Sequence, residues 1–149
     1  MSSAEVKLQT SNQLFVDYDY SKIFIFNNDY IKGDILNNTG AERDFLPGTL
    51  LGRISASGKL VELDPAAADG SQFPVGILKT CVLALGDTLE AKVNACNGGE
   101  VTEEMLILKS GVTLDDIVTG GVRLRDMIAS ANLGIKLVKG IELTKADNS

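Results

Sequence analysis

The sequence predicts a mainly β (α+β) fold, a small barrel-like β-meander followed by two short C-terminal helices. Three prolines, Pro47, Pro65 and Pro74, divide the middle of the chain into short extended pieces. Apolar runs of strand length occupy 50–54, 60–63 and 75–78. Apolar residues at helical spacing appear only after Ser110. At 149 residues, the chain is long enough for one domain with its own core.

The first forty residues are predicted to form an N-terminal arm (1–40), and residues 41–149 a β-rich domain. Strand-like alternation begins at Leu14, and the β-forming run 23–26 follows. Six of the eight aromatic residues precede Gly40, and such a run promotes aggregation when it is exposed. Two interpretations stay open: the segment adds strands to the core, or it docks on a partner by adding a strand to another sheet.

The middle of the chain predicts loops of defined shape. Ser57-Gly58 indicates a tight turn between the first two apolar runs. The loop from Asp64 to Ser71 lacks the spacing of a calcium loop, so we expect turns stabilised by its Asp side chains.

The second half begins with strands. Residues 80–85 predict a buried strand, and the alternation from Leu89 to Ala95 predicts a strand with one dry face. Asn97-Gly98-Gly99 is typical of a hairpin turn, and the apolar run 105–108 follows it.

Two helices are predicted near 113–119 and 122–133. Thr113 and Asp116 resemble a capping box, and Gly120-Gly121 ends the first helix. In the second helix the apolar residues recur at helical spacing, and Gly134 follows as a C-cap. A last strand over 135–143, with a bulge at Gly140, completes the pattern.

Composition excludes several classes of function. A net charge of −6 and a pI near 4.6 disfavour binding to nucleic acid phosphates. No apolar stretch approaches membrane-spanning length, and the N-terminus lacks the pattern of a secretory signal, so we expect a cytoplasmic site of synthesis. Cys81 and Cys96 suit buried, reduced thiols, although a disulfide between them stays open.

The sequence contains few of the residues and motifs that catalysis uses. Histidine is absent, which removes Ser-His-Asp and Cys-His nucleophilic sets and the commonest metal ligand. The chain has neither a P-loop nor a dinucleotide fingerprint. We therefore expect no enzymatic activity, no cofactor and no metal.

One series of motifs resembles a known family. Pro47-Gly48-Thr49-Leu50-Leu51-Gly52-Arg53 is followed by Gly58-Lys59-Leu60, by Asp64-Pro65 and Asp69-Gly70-Ser71-Gln72, and by Val75-Gly76-Ile77-Leu78. This order is similar to that of the head decoration, or capsid cement, proteins of tailed bacteriophages, of the lambda head protein D type.

The resemblance implies a function and two surfaces. Such a protein is a homotrimer that binds the major capsid protein on the outer surface of the expanded head, after synthesis in the bacterial cytoplasm, and stabilises the head against DNA pressure. The residues of the implied capsid-binding arm are Leu14, Phe15, Val16, Tyr18, Tyr20, Ile23, Phe24, Ile25, Phe26 and Tyr30. The residues of the implied trimer or capsid loops are Pro47, Gly48, Asp64, Pro65, Asp69, Gly70, Ser71 and Gln72.

A second hypothesis is an oligomeric β-rich module of a tail, fibre or host-attachment apparatus. Exposed aromatics such as Tyr18, Tyr20 and Tyr30 would then stack on glycans, or the module would bind another protein.

Overall fold

The computed structural model describes residues 22–118, 121–130 and 133–139, which contain ten β-strands and one short α-helix. The strands are β1 (Phe24–Leu36), β2 (Arg43–Phe45), β3 (Leu50–Arg53), β4 (Leu60–Glu62), β5 (Gly76–Leu78), β6 (Val82–Leu85), β7 (Glu90–Thr102), β8 (Ile117–Val118), β9 (Val122–Arg123) and β10 (Ile135–Val138). The helix α1 spans Leu124–Ala129, and a 3-10 turn occupies Glu103–Met105.

Five strands close into a ring. The order β1-β4-β3-β5-β7 is completed by direct pairing of β1 with β7, and β10 extends the sheet from the far half of β7. The β1–β7 pair is antiparallel and runs from Phe24 opposite Val101 to Leu36 opposite Glu90. In contrast, β4 pairs with β1 and β10 pairs with β7 in parallel. The predicted mainly β fold is confirmed.

The strands of the ring have apolar residues on both faces. Successive side chains of a strand point to opposite faces, so Leu50 and Ile77 enter one cluster while Leu51 and Leu78 enter the other. The first cluster lies beneath α1 and contains Leu124 and Ile128, among others. The ring is thus packed on two sides, and α1 covers one of them.

Part of the predicted arm belongs to this sheet. Residues 24–36 form β1, and Ile23 and Ile35 are fully buried. This segment therefore adds a strand to the core, which is the first of the two interpretations that the sequence left open. Leu14 to Tyr20 lie outside the described residues.

The β3–β4 hairpin forms as predicted. Leu51 lies opposite Glu62, and Arg53 lies opposite Leu60. Gly58 has a φ of +75° and donates its N–H to the Ile54 carbonyl at 2.7 Å. A left-handed backbone at this position explains the glycine.

The predicted helix over 113–119 is wrong. The amide and hydroxyl of Thr113 do donate to the Asp116 carboxylate, at 3.0 and 2.9 Å, but they close a turn. The chain then enters β8, which pairs with β9. β-Branched Ile117 and Val118 favour a strand, and Val118 gains a partner in Val122.

The second predicted helix is shorter than 122–133. It spans Leu124–Ala129, because β9 occupies Val122–Arg123. At its end, the Ser130 hydroxyl donates to the Met127 carbonyl at 2.6 Å. Such side-chain bonds compete with helix continuation. The last strand is described only over Ile135–Val138, so the bulge predicted at Gly140 lies outside the described residues.

The hairpin prediction is wrong, and the strand predicted over 80–85 forms over 82–85 but is less buried than expected. The predicted hairpin at Asn97-Gly98-Gly99 does not form, and β7 continues through these residues because β1 pairs beside them. Residues 82–85 form β6, which is partly exposed because it pairs only with β2, outside the ring. The run 105–108 makes a single bridge, between Thr49 and Ile107.

Candidate interaction surfaces

The loop over 64–72 is shaped by side chains that bond to its own backbone. Asp64 Oδ1 accepts the Ala66 N–H at 3.0 Å, and Asp69 Oδ1 accepts the Ser71 N–H at 3.0 Å and the Ser71 hydroxyl at 2.5 Å. Gln72 Oε1 accepts the Gly70 N–H at 2.8 Å. The predicted turns built on Asp side chains are confirmed.

These bonds also set the charge of the loop. The Ala66 N–H, followed by Lys109, whose ammonium lies 3.0 Å from Asp64 Oδ2, lowers the pKa of Asp64. The Ser71 hydroxyl and then its N–H lower the pKa of Asp69. Hydrogen bonds to a carboxylate favour its charged form, so both residues stay ionised at lower pH than an isolated aspartate does.

The loop packs tightly on the ring. The Ser55 N–H donates to the Asp69 carbonyl at 2.8 Å. A Cβ at Gly52 would overlap the Ser71 carbonyl, and one at Gly70 would overlap the Ser55 side chain. Two glycines therefore allow β3 and the loop to approach each other closely.

Several predicted loop residues are inside the protomer. Pro47, Gly48, Ser71 and Gln72 are buried. Gly48 donates its N–H to the Leu78 carbonyl and accepts the Ile107 N–H, both at 2.8 Å, so it connects the ring to the segment after the 3-10 turn.

The remaining loop residues reach the surface to different degrees. Asp64, Pro65 and Gly70 are half-buried, and Asp69 is exposed. The exposed edge of the loop is therefore smaller than the sequence motifs imply.

A second surface lies at the start of β1, where register shifts produce a bulge over residues 26–29. Phe26 is 65% exposed, and Asn27 has a φ of +52°. The Asn28 amide donates to the carbonyls of Gly98 and Glu100 at 3.2 and 3.0 Å. A Cβ at Gly99 would lie 2.6 Å from the carbonyl oxygens of Phe26 and Asn27. The bulge is thus fastened to β7 and presents Phe26 to solvent.

Comparison with protein families identifies the chain. The family model for the bacteriophage lambda head decoration protein D matches residues 27–127. The chain belongs to this family. No curated protein matches the chain significantly.

The match runs from within the β1 bulge into α1, and it contains the 64–72 loop and all of the ring except the first three residues of β1. A head decoration protein is a structural component of the phage head. Membership confirms the family that the motif order over 47–78 indicated. The segment before residue 27, with most of the predicted arm, is outside the match.

The predicted arm residues of this decoration protein fall into three groups. Ile23 and Phe24 are buried in the core, where Phe24 contacts the Tyr30 ring edge-on, with centroids 5.8 Å apart. Ile25 is half-buried, whereas Phe26 and Tyr30 are exposed. The other five lie outside the described residues: Leu14, Phe15, Val16, Tyr18 and Tyr20.

Sequence reasoning missed one exposed aromatic. Phe73, between Gln72 and Pro74, is 39% exposed at the end of the 64–72 loop. It is the last aromatic in the chain and lies apart from the aromatic-rich N-terminal segment. Its isolation within a Pro- and Gly-rich stretch is the feature of the sequence that could have indicated an exposed aromatic.

The cysteines and acidic residues offer little reactive chemistry. Cys81 and Cys96 are free, and burial raises the pKa of both thiols. A raised pKa leaves less of the nucleophilic thiolate at neutral pH. Across the part of the chain that the structure describes, no three His, Cys, Asp or Glu side chains are grouped to hold a metal ion. No helix there is long and apolar enough to cross a membrane.

Proposed function

We propose that this chain binds, as a homotrimer, the major capsid protein on the outer surface of the expanded phage head and stabilises the head against the pressure of packaged DNA. Family membership over residues 27–127 is the observation that carries the proposal. On this proposal the chain is made in the bacterial cytoplasm and ends on the outer face of the virion.

Avidity is the physical basis of the stabilisation. A protomer that buries an ordinary interface of about 1,600 Å² gains moderate affinity after the entropy of association is subtracted. Three joined protomers engage three lattice sites, so release requires all three contacts to break together. A lattice held at several points resists disruption by internal pressure and by heat better than one with separate ligands.

Binding also selects a state of the capsid. A site made from neighbouring capsid proteins exists only in the lattice geometry that brings them together. A ligand stabilises the state for which it has the higher affinity. The proposal therefore requires tight binding to expanded heads and weak binding to unexpanded ones.

The β1 bulge is the described part of the proposed capsid-facing surface. Phe26 is the most exposed large apolar side chain of the bulge, and it follows the N-terminal segment directly. Because the Asn28 amide and Gly99 hold the bulge against β7, little ordering entropy is lost when Phe26 is buried. Ile23 and Phe24 contribute from inside the core by fixing the start of the strand.

The attachment-module hypothesis has weaker support. Sugar stacking requires a free aromatic face, but the Lys79 ammonium lies 4.2 Å from the centroid of the Tyr30 ring. Tyr18 and Tyr20 lie outside the described residues.

The test mixes the full chain with expanded, undecorated heads and measures co-sedimentation and the temperature of head disruption. We expect the wild type to sediment with the heads and to raise that temperature. Phe26→Ser should weaken head binding about 10-fold or more, as loss of an aromatic anchor does. Leu89→Ser, at another exposed apolar residue, is the control and should bind normally.

Two results would contradict the proposal. A wild-type chain that stays in the supernatant would remove the capsid as partner. Equal binding by the Phe26→Ser and Leu89→Ser variants would remove the bulge from the capsid surface. Circular dichroism of each variant separates a lost contact from a lost fold.

A further inference from the structure

One hollow, the ring-end hollow, lies where two short strands of the ring end. Arg53 is the last residue of β3, and Val75 directly precedes β5. These strands are antiparallel, so both residues lie at the same end of the ring. Ile31 of β1 and Asn97 of β7 also line the hollow, whose volume is about 510 Å³. Small-molecule sites occur preferentially in places such as the mouths of β-barrels and measure about 300–1,000 Å³. The position and volume of the hollow therefore match those of a ligand site.

The wall of the ring-end hollow is mainly apolar. Phe73 and Pro74 border it at the end of the 64–72 loop, and Met127 of α1 and Leu133 border it from the later segment. Phe73 is 39% exposed, so part of this apolar wall is in contact with water. Burial of an apolar ligand against such a wall increases affinity about fourfold for each methylene. The hollow therefore suits a ligand with an apolar body.

Arg53 is the one charged residue among the described residues that line the hollow. It is half-buried, and within the described ranges no carboxylate lies at ion-pairing distance from its guanidinium. Arg43 and Arg125, in contrast, each pair with a glutamate, at 2.6 and 2.7 Å. A guanidinium binds a carboxylate through two parallel hydrogen bonds. Arg53 is therefore available to a carboxylate on the ligand.

A neighbouring hollow is less suited to an anion. It measures about 610 Å³, and Phe73 and Arg53 border it as well. Its wall also contains the exposed Asp69. A carboxylate repels another carboxylate that lies close to it. An anionic ligand that binds Arg53 should therefore occupy the ring-end hollow.

The backbone beside the hollow is held in place before any ligand binds. The Phe73 N–H donates to the Gly70 carbonyl at 3.3 Å, and the Val75 N–H donates to the Leu51 carbonyl at 2.9 Å. Pro74, between them, is buried and has a fixed φ. A site that is already formed loses little conformational entropy on binding.

We propose that the ring-end hollow binds a small amphipathic monocarboxylate, such as a medium-chain fatty acid. The apolar body lies against Phe73, Val75 and Met127, and the carboxylate accepts hydrogen bonds from the Arg53 guanidinium. This inference goes beyond the proposed function and does not depend on it, since Phe26, the proposed capsid anchor, does not line the hollow.

Isothermal titration calorimetry of the full chain tests the proposal with three probes. We expect octanoate to bind at one site per chain. 1-Octanol, which has the apolar body without the charge, should bind about 10-fold more weakly, which is the effect of one charged hydrogen bond. Butanoate, with four fewer methylenes, should bind about 100-fold more weakly. These comparisons use the wild type, so they hold even where a variant folds poorly.

Two variants test the two parts of the site separately. Arg53→Gln should weaken the binding of octanoate about 10-fold and leave the binding of 1-octanol unchanged. Val75→Thr, which keeps the side-chain volume but places a hydroxyl in the apolar wall, should weaken both ligands about 5-fold. The matched controls are Arg123→Gln and Val122→Thr, at exposed residues of β9 that do not line the hollow. Both controls should bind octanoate as the wild type does, and circular dichroism checks the fold of each variant.

Three results would overturn the inference. They are a wild type that does not bind octanoate, equal affinities for octanoate and 1-octanol, and a folded Arg53→Gln variant with wild-type affinity for octanoate. If octanoate does not bind and Val75→Thr loses affinity for expanded heads, the hollow belongs to the capsid contact instead. A wild type that binds octanoate through Arg53 but does not bind heads would support this inference and overturn the proposed function.

Discussion

The ring of strands and the segment that follows it are stabilised in different ways. In the ring, long β1 and β7 pair over most of their length, and apolar side chains such as Leu50 and Leu51 are buried on both faces. The segment from 113 to 139 has two strands of two residues, a six-residue helix and one four-residue strand. Elements this short gain little from their own hydrogen bonds. They depend on tertiary contacts.

Two kinds of contact fasten the later segment. Leu124 and Ile128 of α1 are fully buried against the ring. Arg125 makes a two-bond ion pair with Glu103, at 2.7 and 3.2 Å, and a further bond to Asp115 at 3.1 Å. The comparison teaches that the ring should unfold as one unit, whereas the later segment should loosen alone and respond to pH through the Glu103–Arg125 pair.

The largest effect should come from equal truncations in the two regions. Leu50→Ala in the ring should lower the free energy of unfolding by about 4 kcal/mol, because the surrounding strands cannot collapse into the cavity. Leu124→Ala in α1, equally buried, should cost about 2–3 kcal/mol because the short segment can relax. Urea denaturation gives both values.

Hydrogen exchange distinguishes local unfolding of the later segment from global unfolding of the protein. Leu124→Ala should speed amide exchange over 113–139 and leave the ring protected. If exchange accelerates equally in β3 and α1, the two regions are one cooperative unit and the comparison fails.

An intermediate effect is expected where the 64–72 loop meets the ring. Gly52→Ala should cost about 3 kcal/mol because its Cβ would overlap the Ser71 carbonyl, a backbone atom that cannot move freely. Gly58→Ala is the control. Its Cβ would meet nothing within 4 Å, and a φ of +75° limits the cost to about 1–2 kcal/mol. Equal midpoints in urea would mean that the loop is less tightly packed than the distances indicate.

The smallest effect should come from the ion pair. Arg125, followed in effect by Lys139, lowers the pKa of Glu103, while burial opposes that shift. A carboxyl with a lowered folded-state pKa contributes stability above its unfolded pKa of about 4.3, and loses it as pH falls through the folded pKa. Stability of the wild type should therefore fall below about pH 4.5. Arg125→Gln should cost about 1 kcal/mol at neutral pH, in keeping with a partly exposed pair.

Arg125→Gln should also make the free energy of unfolding depend less on pH in the acid limb of the stability curve, where the wild type loses stability. Arg123→Gln, at an exposed cation two residues earlier, should leave that limb unchanged. An acid limb that is identical in wild type and Arg125→Gln would show that Glu103 does not link this segment to pH.

Turns and side-chain hydrogen bonds between residues close in sequence were predicted correctly. The Ser57-Gly58 turn and the bonds from Asp64 and Asp69 to amides two residues later need only short chain segments, so their residue types predict them. The motif order over 47–78 also indicated the family for the same reason, since it records turns and strands in sequence.

Predictions that depended on segments far apart in the sequence were less successful. Asn97-Gly98-Gly99 has the composition of a hairpin, but β1 lies alongside, and Gly99 serves a close approach of two backbones instead. The Thr113 hydroxyl donates to the Asp116 carboxylate, but no helix begins there, because Val118 pairs with Val122 in a strand. The exposure of Phe73 was likewise not predicted, since the exposure of a side chain is a property of the packed molecule.

By itself the sequence determined the mainly β class, the shape of the 64–72 loop, the acidic charge and the family. Only the tertiary structure decided that β1 closes the ring against β7, that Pro47 and Gly48 are internal, and that Phe26 and Phe73 project. Turn chemistry and composition act over a few residues, whereas strand pairing and burial depend on which distant segments meet, and no local pattern encodes that choice.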